Sequence, residues 1–143
     1  MTNKKFNRYS FLLERTAKRV KQFAQSAFLE NDFGVTVDQW SVLKILNEEG
    51  PVPGKLVAER TNKDHPTLSR IIDKLEIKNL VERKDHPNDR RVCLLCLTKD
   101  AKDLIHTIEP EIDDIRMHAW KNLTEEDFEH FNRILNKIYT NLK

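Results

Sequence analysis

The apolar period changes partway along the segment from Asp64 to Thr98, DHPTLSRIIDKLEIKNLVERKDHPNDRRVCLLCLT, and that change limits the folds open to the chain. Leu68, Ile71, Ile72 and Leu75 recur at helical spacing, so they form one buried stripe and turn Thr67, Ser69, Arg70 and Lys74 outward. After Asn79 come the β-formers Leu80 and Val81, a polar segment ending in Asp89, Arg90 and Arg91, and then the strand-like VCLLCL. A helix with a polar, basic outer face is expected here, followed by a β-hairpin with a charged tip.

The residues upstream give that helix a partner. Gly50, Pro51 and Pro53 mark a turn, and Pro53 to Thr61 reads as a short helix burying Leu56, Val57 and Ala58. Asn62 to Asp64 makes a tight link. Asp64 or His65 can cap the next helix, and Pro66 fits its first turn without wasting a backbone donor. Short helix, tight turn and second helix form a helix-turn-helix pattern, in which Thr, Ser and Arg near the start of the second helix can bond to base edges or phosphates in a major groove. The bland alternative is a helical hairpin with a solvated face. Before this unit, Val37 to Glu49 reads as a central core helix carrying Trp40, Val42, Leu43, Ile45 and Leu46, with Thr36 as its N-cap and Gly34 ending the helix before it. That earlier helix, from Phe6 to about Asn31, has an apolar stripe of Phe6, Tyr9, Leu13, Val20, Phe23, Ala24, Ala27 and Phe28, read mainly as core.

Past the hairpin, Thr98 caps a long helix marked by Ala101, Leu104, Ile105, Ile108, Ile112 and Ile115, and Pro110 is expected to kink or break it near Glu109. A last helix follows Leu123, with Thr124 as N-cap and Asp127 completing a carboxylate version of the capping box. Its stripe of Phe128, Phe131, Ile134, Leu135, Ile138, Tyr139 and Leu142 is too wide for one intramolecular contact, which points to a second chain.

Charge is uneven along the 143 residues although the net is only +2. Residues 1–21 carry seven Lys or Arg against one acidic residue, the block 60–91 nine against six, and residues 100–143 six against ten, so a polyanion is expected to meet the middle and the start of the chain. No apolar run approaches the roughly 20 residues of a membrane span, and the start MTNKKFNRYS lacks a secretory core; a cytoplasmic protein with no membrane partner is expected. Cys93 and Cys96 lie an odd number apart on one strand and so face opposite ways, which argues against a disulfide between them. His65, His86, His106, His118 and His130 include no close ligand pair, and neither a phosphate loop nor a nucleophile motif occurs, so no metal, cofactor or catalytic residue is expected.

TVDQWSVLKIL (Thr36 to Leu46), LVAERTNKDHPTLSRIIDKLEIKNLVERK and DHPNDRRVCLLCLT follow one another in the order seen in the MarR family of winged helix-turn-helix regulators, which the chain resembles over Thr36 to Thr98. Asp89, Arg91, Leu97 and Thr98 fit that family's wing signature. The chain departs from the pattern at Asn79, where glycine is usual, and at Asp100–Ala101, where many members have a glycine nearby. Asparagine tolerates the left-handed conformation that such a C-cap needs.

The resemblance implies a mainly α fold with a small β-hairpin wing. It also implies a single MarR-like domain with a winged helix-turn-helix core at residues 36–98 and helical dimerisation regions at 1–35 and 99–143. It implies a homodimeric repressor on a palindromic operator in double-stranded DNA. His65, Pro66, Thr67, Ser69 and Arg70 are then at or near the major groove, Lys74 at a phosphate, and Arg90 and Arg91 at a minor groove, while Asp89 pairs with one of these two arginines to hold the wing. A small aromatic or phenolic effector, between winged core and terminal helices, is implied as well. The competing readings are a helical protein-interaction module that keeps the winged fold without specific DNA binding, and a metal sensor or a redox sensor using Cys93 or Cys96.

Overall fold

The computed structural model describes residues 3–143. Helix α1 (Asn3–Phe6) leads into α2 (Tyr9–Glu30), then α3 (Val37–Glu49), strand β1 (Val52–Pro53), α4 (Gly54–Thr61), α5 (His65–Ile77), β2 (Val81–His86), β3 (Asp89–Leu97), α6 (Lys99–Met117), a single 3-10 turn (His118–Trp120) and α7 (Glu125–Asn141). The expected hairpin gains a third member, because the strand order is β1-β3-β2, antiparallel throughout, with Val52 opposite Leu95 and Val81 opposite Leu97.

The core forms around α3, whose Trp40, Val42, Leu43 and Leu46 are all buried. Thr36 starts that helix through a complete capping box: its hydroxyl accepts from the Gln39 N–H at 3.1 Å and its own N–H donates to Gln39 Oε1 at 3.1 Å. Leu68, Ile71, Ile72 and Leu75 of α5 pack into the same core, joined by Val57 of α4, Leu95 of β3 and Ala101, Ile105, Ile108 and Ile112 of α6. In α4 only Val57 is fully buried, with Leu56 and Ala58 half-buried.

Both ends of α5 are built as the sequence suggests. Asp64 is the N-cap, its Oδ1 accepting the Thr67 N–H at 2.8 Å, and Pro66 sits in the first turn. At the far end Asn79 takes the left-handed conformation (φ 60), and the Leu80 N–H reaches back to the Leu75 carbonyl at 2.9 Å to close the helix. The two positions that depart from the family pattern meet here: Asn79 Nδ2 donates to Asp100 Oδ2 at 2.9 Å. Thr98 locks the same corner, its hydroxyl donating to the Asn79 carbonyl at 2.8 Å and accepting the Ala101 N–H at 3.1 Å as the cap of α6.

Four expectations need correction. The first long helix is interrupted at Asn7–Arg8, and only Ala24 and Phe28 of its supposed core stripe are buried, because among the described residues little packs over the rest. It ends at Glu30 and is closed by the left-handed Asp32 (φ 53), past which the Phe33 N–H bonds back to the Phe28 carbonyl, and not by Gly34, which lies in the following turn. Of the kink or break expected at Pro110, the break does not occur, and α6 runs from Lys99 to Met117. The lost donor and steric crowding cost about 3 kcal/mol, while burying Ile105, Ile108 and Ile112 returns about 1.5–3 kcal/mol each. Thr67, expected to face outward, is half-buried by its place in the cap. By contrast α7 starts as expected, with reciprocal bonds between Thr124 and Asp127 of 3.1 and 2.9 Å, but none of its residues is buried.

The Thr67 backbone N–H holds the Asp64 carboxyl below the ordinary aspartate range. A carboxylate with a depressed folded pKa stabilises above its unfolded value of about 4, and that contribution is lost as the pH falls through the folded value. Asparagine caps equally well without titrating. Asp64→Asn is therefore expected to match the wild type in melting temperature near pH 7 and to lose less stability on acidification below about pH 4; parallel acid profiles for the two proteins would contradict this role.

Candidate nucleic-acid interface

Burying Leu68, Ile71, Ile72 and Leu75 leaves the opposite side of α5 to solvent, and most of the residues singled out from the sequence lie there. His65 and Pro66 open the helix and are exposed, Ser69 and Arg70 follow one turn later, and Lys74 a further turn on; Ile77, at 85% exposure, ends the same side. Thr67 is the exception, being half-buried; its hydroxyl accepts a long 3.5 Å bond from Arg70 Nη2. The fold therefore gathers His65, Pro66, Ser69, Arg70 and Lys74 on one convex strip of a helix whose start carries free backbone donors and positive dipole. Lys55, at the start of α4, borders with Lys63 and His65 an open hollow of about 580 Å³ in front of that start.

Arg90 and Arg91 belong to a separate projection, the tip of the β2–β3 hairpin. The turn is held by the Asn88 N–H donating to His86 Nδ1 at 3.0 Å, and the ladder is irregular between Asp85 and His86, where the tip begins. Of the two arginines it is Arg91 that pairs with Asp89: one oxygen, Asp89 Oδ1, accepts both the Arg91 backbone N–H at 3.0 Å and its Nε at 3.2 Å. Those two donors, backbone first, hold the Asp89 carboxyl below its ordinary range. Even so the Arg91 side chain is 92% exposed, so bracing the turn does not withdraw its charge. Arg90 is exposed beside it.

Sequence reasoning missed the ties that hold these two projections in place. Arg83 on β2 pairs with Glu76, and with Asp73 at 3.1 Å, fastening the wing to the outer flank of α5. Lys78, just past α5, donates to the Gly34 carbonyl at 2.8 Å and to Gln39 Oε1 at 2.7 Å, so the buried amide that completes the α3 capping box also anchors the end of α5. Lys63, in the link before α5, bonds to Asp38 at 2.9 Å. All three bases belong to the charge excess of residues 60–91, but that excess does not say which of them are spent on internal acids.

Among the described residues no group of three or more His, Cys, Asp or Glu side chains could hold a metal ion, and no helix is long and apolar enough to cross a membrane. Cys96 is buried and Cys93 exposed, on opposite sides of β3 as their spacing requires. A cavity of about 370 Å³ opens between α2 and the end of α6, lined by Arg19, Val20, Phe23, Ile115, Arg116 and His118, with Phe23 and His118 stacked at 5.0 Å. Its lining comes from the terminal helices and the turn after α6, not from the winged core.

Known proteins match this architecture. The sequence description of the MarR family fits residues 35–93. The helix-turn-helix-type transcriptional regulator YwoH of Bacillus subtilis is 31% identical over 102 residues, covering 71% of this chain and 74% of that protein. Among solved structures, a mutant MarR from E. coli complexed with operator DNA superposes with a TM-score of 0.81 at 22% identity, over 90% of this chain and 91% of that one. Bordetella bronchiseptica BpsR, whose DNA binding is regulated by 6-hydroxynicotinic acid, superposes with a TM-score of 0.82 at 25% identity, over 91% of each chain. The identity shared with YwoH and the family match across the core and the start of the wing agree with the fold, and the chain belongs to the MarR family of DNA-binding, winged helix-turn-helix transcriptional regulators.

Proposed function

We propose that this regulator is a homodimeric repressor of a palindromic operator, with residues 36–98 reading DNA and residues 1–35 and 99–143 forming the dimerisation region. His65, Pro66, Thr67, Ser69 and Arg70 meet the major groove, Lys74 a phosphate, and Arg90 and Arg91 the adjoining minor groove, whose negative potential favours inserted arginine. The observation that carries this reading is the pairing of two exposed basic projections, the α5 strip and the wing tip, each fastened to a packed core. In the dimer two copies of α5 enter successive major grooves, about 34–36 Å apart. A protein-interaction module without specific DNA binding has no need of this arrangement.

Dimerisation through the terminal helices is supported by what they leave in water. Phe11, Leu12, Leu13 and Val20 of α2 and Phe128, Phe131, Ile134 and Tyr139 of α7 are all exposed, far more apolar surface than the end of a monomer normally shows. Trp120 sits edge-on to Phe128 and Phe131 at 5.3 and 5.5 Å, giving that surface a rigid aromatic centre. An effector completes the reading: a small aromatic acid in the cavity beside Arg19 and Arg116, with Phe23 and His118 offering ring faces and the arginines a carboxylate partner. It releases DNA only if it binds the spacing of the two winged cores that does not fit DNA more tightly than the spacing that does.

Four experiments test these parts. On a duplex selected by the wild-type protein from a random-sequence pool, Arg70→Ala is expected to weaken binding by about 1–3 kcal/mol. Arg90→Ala with Arg91→Ala should lower both the affinity and the slope of log K against log salt, by about one unit per arginine; an unchanged slope in a folded double variant rules out the wing contact. Phe131→Glu should give monomers in sedimentation equilibrium where the wild type gives dimers, and a stable variant dimer would move the interface elsewhere. A panel of aromatic carboxylates, 6-hydroxynicotinic acid included, should contain members that raise the melting temperature of the wild type but not of an Arg19→Ala, Arg116→Ala variant. No shift from any of them would remove the cavity from the account.

A further inference from the structure

Asp38 stands where three elements meet. It is the second residue of α3, and its Oδ1 accepts hydrogen bonds from Lys63 Nζ at 2.9 Å and from Lys21 Nζ at 3.2 Å. Lys21 lies on α2, in the terminal helices. Lys63 lies in the link between α4 and α5 and directly precedes Asp64, the cap of the recognition helix. The Lys63 side chain is only 15% exposed, so water does little for its charge and the Asp38 carboxylate does most of the compensation. Partial burial pushes the Asp38 carboxyl up, but the bonds from Lys63 and Lys21 outweigh it and hold the group below the ordinary aspartate range, so it is ionised throughout the neutral range. A continuous path of polar contacts and chain therefore runs from Lys21 through Asp38 to Lys63, on to Asp64 and into the Thr67 N–H at the start of α5.

We infer that Asp38 is a positioning residue for DNA recognition: it fixes where α5 begins relative to α2 and so carries the geometry of the terminal helices to the reading end of the recognition helix. The inference rests on the reading of α5 as the element that meets DNA. Simple electrostatics points the other way, which makes the idea testable by sign. An acid near a polyanion is repelled, so if Asp38 contributed only its charge, neutralising it and freeing Lys63 and Lys21 would tighten DNA binding. If Asp38 positions α5, the same change weakens binding, because Lys63 loses its anchor and the start of the helix shifts. Moreover, no phosphate contact is lost, so the salt dependence stays the same.

The test uses the full chain and a duplex that the wild type selects from a random-sequence pool. Asp38→Asn and Lys63→Met should each weaken binding about five- to tenfold, the scale of one partly buried ion pair. Their combination should be no worse than either alone, Asp38→Glu should recover most of the loss, and the salt slope of Asp38→Asn should equal that of the wild type. Lys21→Met should show a smaller loss in the same direction. Unchanged or tighter binding by Asp38→Asn overturns the inference, as does a salt slope about one unit lower in Lys63→Met, which marks Lys63 as a phosphate contact. Melting curves run alongside: if Asp38→Asn is unfolded at the assay temperature, Lys63→Met and Asp38→Glu carry the same decision. Failure of the wild type to select any sequence is a separate result, which removes the DNA-reading role of α5 itself.

Discussion

Burial of Leu68, Ile71, Ile72 and Leu75 against α3 is the constraint from which the rest of the structure follows. A helix with a 3.6-residue period that commits those positions to the core has only one way to present His65, Pro66, Ser69, Arg70 and Lys74, namely outward on the opposite strip. Each of the four buried side chains contributes about 1.5–3 kcal/mol, whereas the exposed ion pairs nearby are each worth about 1 kcal/mol or less. Apolar packing therefore decides which face α5 shows, and the polar ties only refine its position. Lys63–Asp38 acts at its start, Lys78 with Gln39 and Gly34 at its end, and Arg83 with Asp73 and Glu76 along its flank.

What could be read from the sequence is whatever depends on near neighbours. The bounds of α3, the capping roles of Thr36, Thr98 and Thr124, a cap for α5 at Asp64 or His65 and the opposed cysteines all follow from residues a few positions apart, and the structure shows them with Asp64 as that cap, whereas the left-handed Asn79 was expected from the family resemblance. Strand β1 was hidden because two residues, one of them Pro53, offer no period to read; it exists only because Val52 and Pro53 lie beside Leu95 and Leu94. The break allowed for at Pro110 is absent for the opposite reason, since isoleucines on both sides of it pack into the core and keep the helix continuous. Either wing-tip arginine could have paired with Asp89, with Arg91 favoured by its place in the wing signature, and the turn geometry gives the pairing to Arg91.

The electrostatic ties were out of reach for a related reason. Lys63 and Asp38 are 25 residues apart, and Lys78 and Gln39 are 39 apart, so nothing local names the partner of either base. Counting charges located a basic block correctly but counted bases spent inside the fold together with those that face solvent. A comparable ambiguity affected α2, whose apolar stripe reads as core in one chain and is left exposed over most of its length. Those side chains and the aromatic face of α7 together give the chain a reason to pair, and under the proposed function that pairing presents two copies of α5 related by a two-fold axis.

The central claim is that α5 works in pairs at a spacing set by the terminal helices, and hydroxyl-radical footprinting of the protein on its selected duplex tests that most directly. The account predicts protection that is symmetric about a two-fold axis, with the two principal patches centred about one helical turn apart, roughly 10 base pairs, and flanking protection where the wings reach the minor groove. A single patch without symmetry, or two patches at a spacing unrelated to the helical turn, would contradict it.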